Sequence, residues 1–160
     1  GDGLMNFESW IALQKLYNDY ASSLDDGPLS DWTEFFTEEC LYLIQPRDNY
    51  DAGLPMAVVR CESRGMLQDR VTAVQETIMF EPRYLRHHIT NIEADDASSD
   101  EFQVRANYSV IEVLNDDLPR ILSAGRYLDT IVLEDGLLRF KEKRVIYDSV
   151  LVPNSLIYPL

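Results

Sequence analysis

Histidine and cysteine are scarce in this chain, with two of each in 160 residues. His87 and His88 are adjacent, while Cys40 and Cys61 lie far upstream with no metal-ligand spacing. A Rieske cluster needs two cysteines and two histidines in paired motifs. A mononuclear non-haem iron needs two histidines and a carboxylate on one side of the metal. Neither set can be drawn from these residues. Glycine-rich phosphate loops, a Gly-x-Ser-x-Gly elbow and a P-loop are missing as well. No apolar run approaches the ~20 residues needed to span a bilayer. The first residues lack the basic and apolar regions of a secretory signal. Cations are short too: 14 against 28 acids, for a net charge of −14. A chain of that charge repels phosphate backbones and anionic membrane surfaces, so neither is an expected partner. Two cysteines of unrelated context suit a reducing cytoplasm, the expected location.

What is present is enough for a packed core, with 46% hydrophobic residues. The length suits one domain over residues 1–160. Residues 1–5 are read as an expression remnant or flexible N-terminus, and residues 150–160 as an extended tail. Helical periodicity dominates the first half and period-two alternation the second, which argues an α+β class.

A first helix is predicted over Phe7–Leu24, with Phe7, Trp10, Ile11, Leu13, Leu16, Tyr17, Tyr20 and Leu24 at helical spacing. Asn6 caps it and Asp25-Asp26-Gly27-Pro28 stops it. A short helix follows, with Ser30 as N-cap. Leu41–Ile44 and Met56–Cys61 read as strands, with a polar loop over Arg47–Gly53 between them. A third helix over Arg64–Met79 buries Met66, Leu67, Val71, Val74 and Ile78. Strands are then predicted at Tyr84–Ile92, Phe102–Leu114, Arg120–Leu133 and Leu137–Ser149. Asp135-Gly136 marks a tight hairpin between the last two. The expected architecture is three N-terminal helices on one face of a long curved antiparallel sheet, forming a cone. The apolar tail should lie in an interface or in a groove of its own domain, because its side chains are costly to leave in water.

His87 and His88 sit on a strand, so their side chains must point to opposite faces. One core histidine with a partner and one outward histidine is the expected arrangement. The rival is a stand-alone isomerase or dehydratase, in which one of them works with Asp31 or Asp129 in an apolar pocket. Acids on strands (Glu112, Asp129, Glu142 and Asp148) share the sheet with Arg105, Arg126, Arg139 and Arg144. Cross-strand ion pairs are expected there, or contacts with another chain. Arg83 and Arg86 suit the same role, because a planar guanidinium favours bidentate contacts.

Several blocks together resemble a known family. Asp31-Trp32-Thr33-Glu34-Phe35-Phe36, Cys40-Leu41-Tyr42, Met66-Leu67-Gln68-Asp69-Arg70-Val71 and Arg86-His87-His88-Ile89-Thr90-Asn91-Ile92 come first. Gly125-Arg126-Tyr127-Leu128-Asp129, Arg144-Val145-Ile146-Tyr147-Asp148-Ser149 and Pro159-Leu160 follow. The whole is similar to the small (beta) subunits of aromatic-ring-hydroxylating dioxygenases, most like the terephthalate dioxygenase and salicylate 5-hydroxylase type. The resemblance implies the cone-shaped NTF2-like (cystatin-like) fold and a large alpha partner, usually as α3β3. It implies a Rieske 2Fe-2S cluster, a mononuclear iron and the substrate pocket on that partner, with NAD(P)H electrons delivered through a reductase. This chain is then expected to carry no catalytic, cofactor or metal residue. Its candidate interface residues are Arg83, Arg86, His87, His88, Arg126, Arg144 and Tyr158. An acidic ferredoxin would be repelled by a −14 chain, so the electron donor is expected to dock on the alpha subunit.

Overall fold

A computed structural model describes residues 6–80, 83–95, 100–149 and 158–160. Helix α1 spans Phe7–Asp26, and the Asn6 side chain accepts from the Ser9 N–H at 2.8 Å. A 3-10 segment, Leu29–Phe35, replaces the predicted second α-helix, and Pro28 rather than Ser30 precedes it. Strand β1 runs over Phe36–Pro46, well beyond the expected Leu41–Ile44. Helix α2, Arg47–Asp51, occupies the segment read as a loop. Strand β2 is only Val59–Cys61. Helix α3 covers Arg64–Phe80, with the Ser63 hydroxyl accepting from the Met66 N–H. The four long strands follow as β3 Arg83–Asp95, β4 Glu101–Leu114, β5 Arg120–Glu134 and β6 Leu137–Tyr147.

The strands form one sheet in the order β2-β1-β6-β5-β4-β3. Every pairing is antiparallel except β1 with β6. Strand β1 lies between its sequence neighbour β2, to which it is antiparallel, and the last strand β6, to which it is parallel. Asp135 and Gly136 both have positive φ, 52° and 79°, which is the turn chemistry expected of that hairpin.

Helices α1 and α3 and the 3-10 segment pack on one face, here called inner. Leu13, Leu16, Tyr17, Tyr20 and Leu24 of α1 and Leu67, Val71 and Val74 of α3 are buried there. The outer ends of the predicted stripes are not: Phe7 is 76% exposed, and Trp10, Ile11 and Met66 are exposed as well. The Ile78 side chain lies outside the described residues. So do Gly1–Met5 and most of the tail, Val150 to Ile157. Tyr158 and Leu160, at the tail's far end, are buried in this chain's own core.

One close approach fixes the sheet. A Cβ on Gly125 would lie 2.0 Å from the main-chain oxygen of Ile146. Only glycine lets β5 and β6 come this near.

Candidate functional site

The inner concavity is filled by aromatic rings. Trp32, Phe36 and Tyr42 meet edge-on with centroids 5.3–5.8 Å apart. Tyr20 packs edge-on against Phe140 and Tyr127, and Tyr108 stacks on Tyr127 at 4.7 Å. The end of the chain closes this cluster. Tyr20 Oη donates to the main-chain oxygen of Leu160 at 2.6 Å, and the Leu160 N–H donates to Tyr42 Oη at 3.0 Å.

Inside the rings lies a buried ion pair. Lys143 Nζ is 2.9 Å from Asp129 Oδ2, and both side chains are fully buried. Tyr17 Oη donates to the same oxygen at 2.5 Å. The ammonium lies 3.5 Å from the Tyr127 ring centroid, 4.3 Å from Phe140 and 4.6 Å from Tyr20. Burial pulls the Lys143 pKa down to about 8, against the opposing pull of Asp129. Burial likewise raises the Asp129 carboxyl, with Lys143 and Tyr17 holding it back. The Tyr17, Tyr20 and Tyr127 hydroxyls are pushed well above their usual range by burial. Asp129 Oδ1 finds no donor among the described residues.

The histidines separate as the strand alternation requires. His88 is exposed on the outer face. His87 is buried on the inner face, and its Nδ1 lies 2.6 Å from Asp25 Oδ1. The His87 main-chain N–H also donates to the Asp25 carboxylate, at 2.9 and 3.0 Å. Strand β3 is a sheet edge, so Asp25 occupies a donor that would otherwise be open to another strand. Beside it Asp26 pairs with Arg86 at 2.9 Å. Two acids in the last turn of α1 oppose the helix dipole, and these two contacts offset that penalty. The acids proposed to work with a histidine are placed elsewhere: Asp31 is exposed, and Asp129 belongs to Lys143. An acid–base dyad with either is therefore corrected to a structural clamp with Asp25.

The other candidate residues divide between the faces. Arg83 points inward, pairs with the fully buried Glu112 and lies 4.6 Å over the Tyr158 ring. Arg120 holds the other Glu112 oxygen at 2.6 Å. Arg86, Arg126 and Arg144 lie on the outer face with His88. Arg144 binds Glu142 on its own strand, and Asp148 takes Arg47. An apolar groove of about 630 Å³ lies between α1 and the β5–β6 hairpin, walled by Leu13, Leu16, Phe35, Phe102 and Leu137. No histidine borders it. Sequence reasoning passed over Lys143, Tyr17 and Asp25. The inward parity of Lys143 with Val145 and Tyr147 was the available signal.

The donor set does not fit an iron–sulfur or mononuclear iron centre. Cys40 and Cys61 are buried thiols, with Cys40 raised to about 11 by burial and Cys61 raised by the same cause. A metal ligand needs the thiolate. His87 is committed to Asp25, and His88 faces the opposite side. Among the described residues, no three His, Cys, Asp or Glu side chains converge as a metal-binding group.

Known proteins resemble this chain over nearly its whole length. A family model described as "Ring hydroxylating beta subunit" matches residues 20–154. The anthranilate 1,2-dioxygenase small subunit of Burkholderia cepacia is 34% identical over 97% of this chain and 96% of its own length. A beta subunit of terephthalate 1,2-dioxygenase from Comamonas sp is 29% identical over 88% of this chain and 92% of its own. A solved beta subunit from Novosphingobium aromaticivorans, assigned to an aromatic-ring-hydroxylating dioxygenase, overlays with a TM-score of 0.86. It is 34% identical and covers 96% of this chain and 97% of its own.

Proposed function

This chain belongs to the ring-hydroxylating beta-subunit family, and from that premise we propose that it is the non-catalytic assembly subunit of an oxygenase acting on an aromatic carboxylic acid. The observation that carries the reading is the filled cone. A cone-fold enzyme needs an open, apolar interior with an accessible acid–base pair. Here the interior holds Tyr17, Tyr20, Tyr127 and Phe140 around Lys143 and Asp129, with Leu160 across the end. Its only buried histidine is held by an aspartate that also caps a sheet edge.

The chemistry then lies on a large alpha subunit, with α3β3 as the expected assembly. That subunit would carry the Rieske 2Fe-2S cluster, the mononuclear iron and the ring pocket. A reductase, with or without a ferredoxin, would supply electrons from NAD(P)H. The net charge of −14 favours docking of an acidic donor on alpha rather than on this chain. The carboxylated substrates named for the anthranilate and terephthalate relatives support an aromatic acid as substrate class. The cytoplasm is the proposed location.

Co-expression with the large subunit tests the proposal. A coloured, iron-containing complex that hydroxylates anthranilate, benzoate or terephthalate is expected, while this chain alone is colourless and inactive. Turnover of an aromatic acid by the isolated, metal-free chain would overturn it.

A further inference from the structure

Helices α1 and α3 roof one face of the sheet, and the outer face is left largely bare. Near its centre stands Arg126, exposed on β5. Among the described residues it is the one cation whose side chain has neither a hydrogen bond nor an ion pair. Its neighbours on that face are all engaged. Arg86 is held by Asp26, Arg105 by Glu93 and Asp95, Arg144 by Glu142, and Arg47 by Asp51 and Asp148. In a chain with 28 acids, an exposed arginine without a carboxylate calls for a reason.

The strand register supplies it. Arg126 lies opposite Asn107 on β4 and Ile146 on β6. Ala124 and Leu128 flank it on the same face of its own strand. No acid occupies any of these four positions; the diagonal places hold Arg105, Ser109, Arg144 and Asp148, the last already taken by Arg47. The charges around it are already matched, so the Arg126 guanidinium stands as an uncompensated cation on an acidic molecule. Half-buried Leu128 and Ala124 and buried Ile146 form an apolar floor around it. Beside it a shallow depression of about 250 Å³ opens, lined by Tyr50 and Leu128 and by the Arg105–Asp95 and Arg144–Glu142 pairs. A guanidinium presented this way is suited to a planar, bidentate contact with a carboxylate. The surrounding apolar surface would shield such a pair from water once covered.

We propose that Arg126 is a docking point for a carboxylate side chain of the large subunit, received on the open outer face of the sheet. This rests on the reading that the chain assembles with such a subunit. A second copy of this chain on the same face is the alternative that the experiment separates.

The test uses the purified large subunit and four forms of this chain: wild type, R126A, R126K and R60A. Arg60 serves as control, being an exposed arginine on β2 already paired with Glu62. Dissociation constants are measured at two salt concentrations. R126A should weaken binding by about 30-fold or more and flatten its salt dependence, since it removes one partner of a covered charge pair. R126K should recover part of the loss, because a lysine keeps the charge without the fork. R60A should stay within about threefold of wild type. Circular dichroism and melting of R126A should match wild type, since the side chain has no partner to lose. If wild type and R60A bind and R126A binds equally well, the docking inference is overturned. If wild type itself does not bind, the subunit reading fails instead. Self-association of the chain alone that R126A abolishes would assign the face to a second copy and also overturn the proposal.

Discussion

Replacing Lys143 by methionine probes the interior most directly. The substitution keeps the volume roughly constant and deletes the ammonium. Asp129 is then left with the Tyr17 hydroxyl as its only donor among the described residues. Removing one member of a buried pair costs about 3–5 kcal/mol, because the remaining charge is uncompensated. Total stability of a domain this size is about 5–15 kcal/mol, so the loss is a large fraction of the whole. Replacing both members, K143M with D129L, should cost less than K143M alone, because no buried charge is stranded. Urea unfolding followed by far-UV circular dichroism measures both. The pH profile gives a second reading. Lys143 has a folded pKa of about 8, below the ordinary 10.5. Between these values the unfolded chain binds more protons than the folded one. The contribution of this group to stability therefore rises from about pH 8 to 10.5 and is lost again as pH falls toward 8. The buried tyrosines, with raised pKa values, act with the opposite sign at the alkaline end. Both forms share them, so the difference between wild type and K143M isolates the lysine. K143M within about 0.5 kcal/mol of wild type at pH 7 would refute the reasoning, since no distant surface change costs more.

Gly125→Ala should be more damaging than a methyl group suggests. The three atoms nearest the added Cβ are all main chain, Ile146 O at 2.0 Å and Ile146 C and Tyr147 Cα at 2.9 Å, so the β5–β6 pair must separate. A loss of about 4 kcal/mol or more is expected, read as lost soluble yield and a collapsed melting temperature. Asp25→Ala removes the acceptor for the His87 N–H and ring and should cost about 1–3 kcal/mol. Relief of the helix-dipole penalty, about 0.3–1 kcal/mol, keeps it toward the lower end. A melting temperature equal to wild type would show that the clamp contributes nothing.

The second half of the fold was readable because its signals are local. Strands β3 to β6 follow period-two patterns, and Asp135-Gly136 announces its own turn. The first half was less legible wherever a distant partner decides. Thr37, Glu38 and Glu39 have no strand pattern, yet they extend β1, which pairs in parallel with β6 about a hundred residues on. Phe7 and Ile11 fit the buried stripe of α1, but the helix start borders the open groove and leaves them exposed. Asp25 reads as a helix stop, and nothing nearby reveals that His87 returns to it from 62 residues away. Lys143 shares the inward parity of its strand, but a lysine flanked by charged residues reads as surface. A β-bulge between Thr130 and Ile131 shifts the register beside it.

The insertion of β1 beside β6 has a consequence for biosynthesis. On the ribosome, β1 and β2 emerge early, but the strand that completes their side of the sheet ends only at Tyr147. Until then Tyr42 and Ile44 have no neighbour on that flank, and Trp32 lacks its final cover. The nascent chain carries this uncovered surface while about a hundred further residues are made and then closes it through contacts of long sequence separation, the slow kind. Closure of this flank thus waits on β6, and the interval before it is when a holding chaperone has the most to protect.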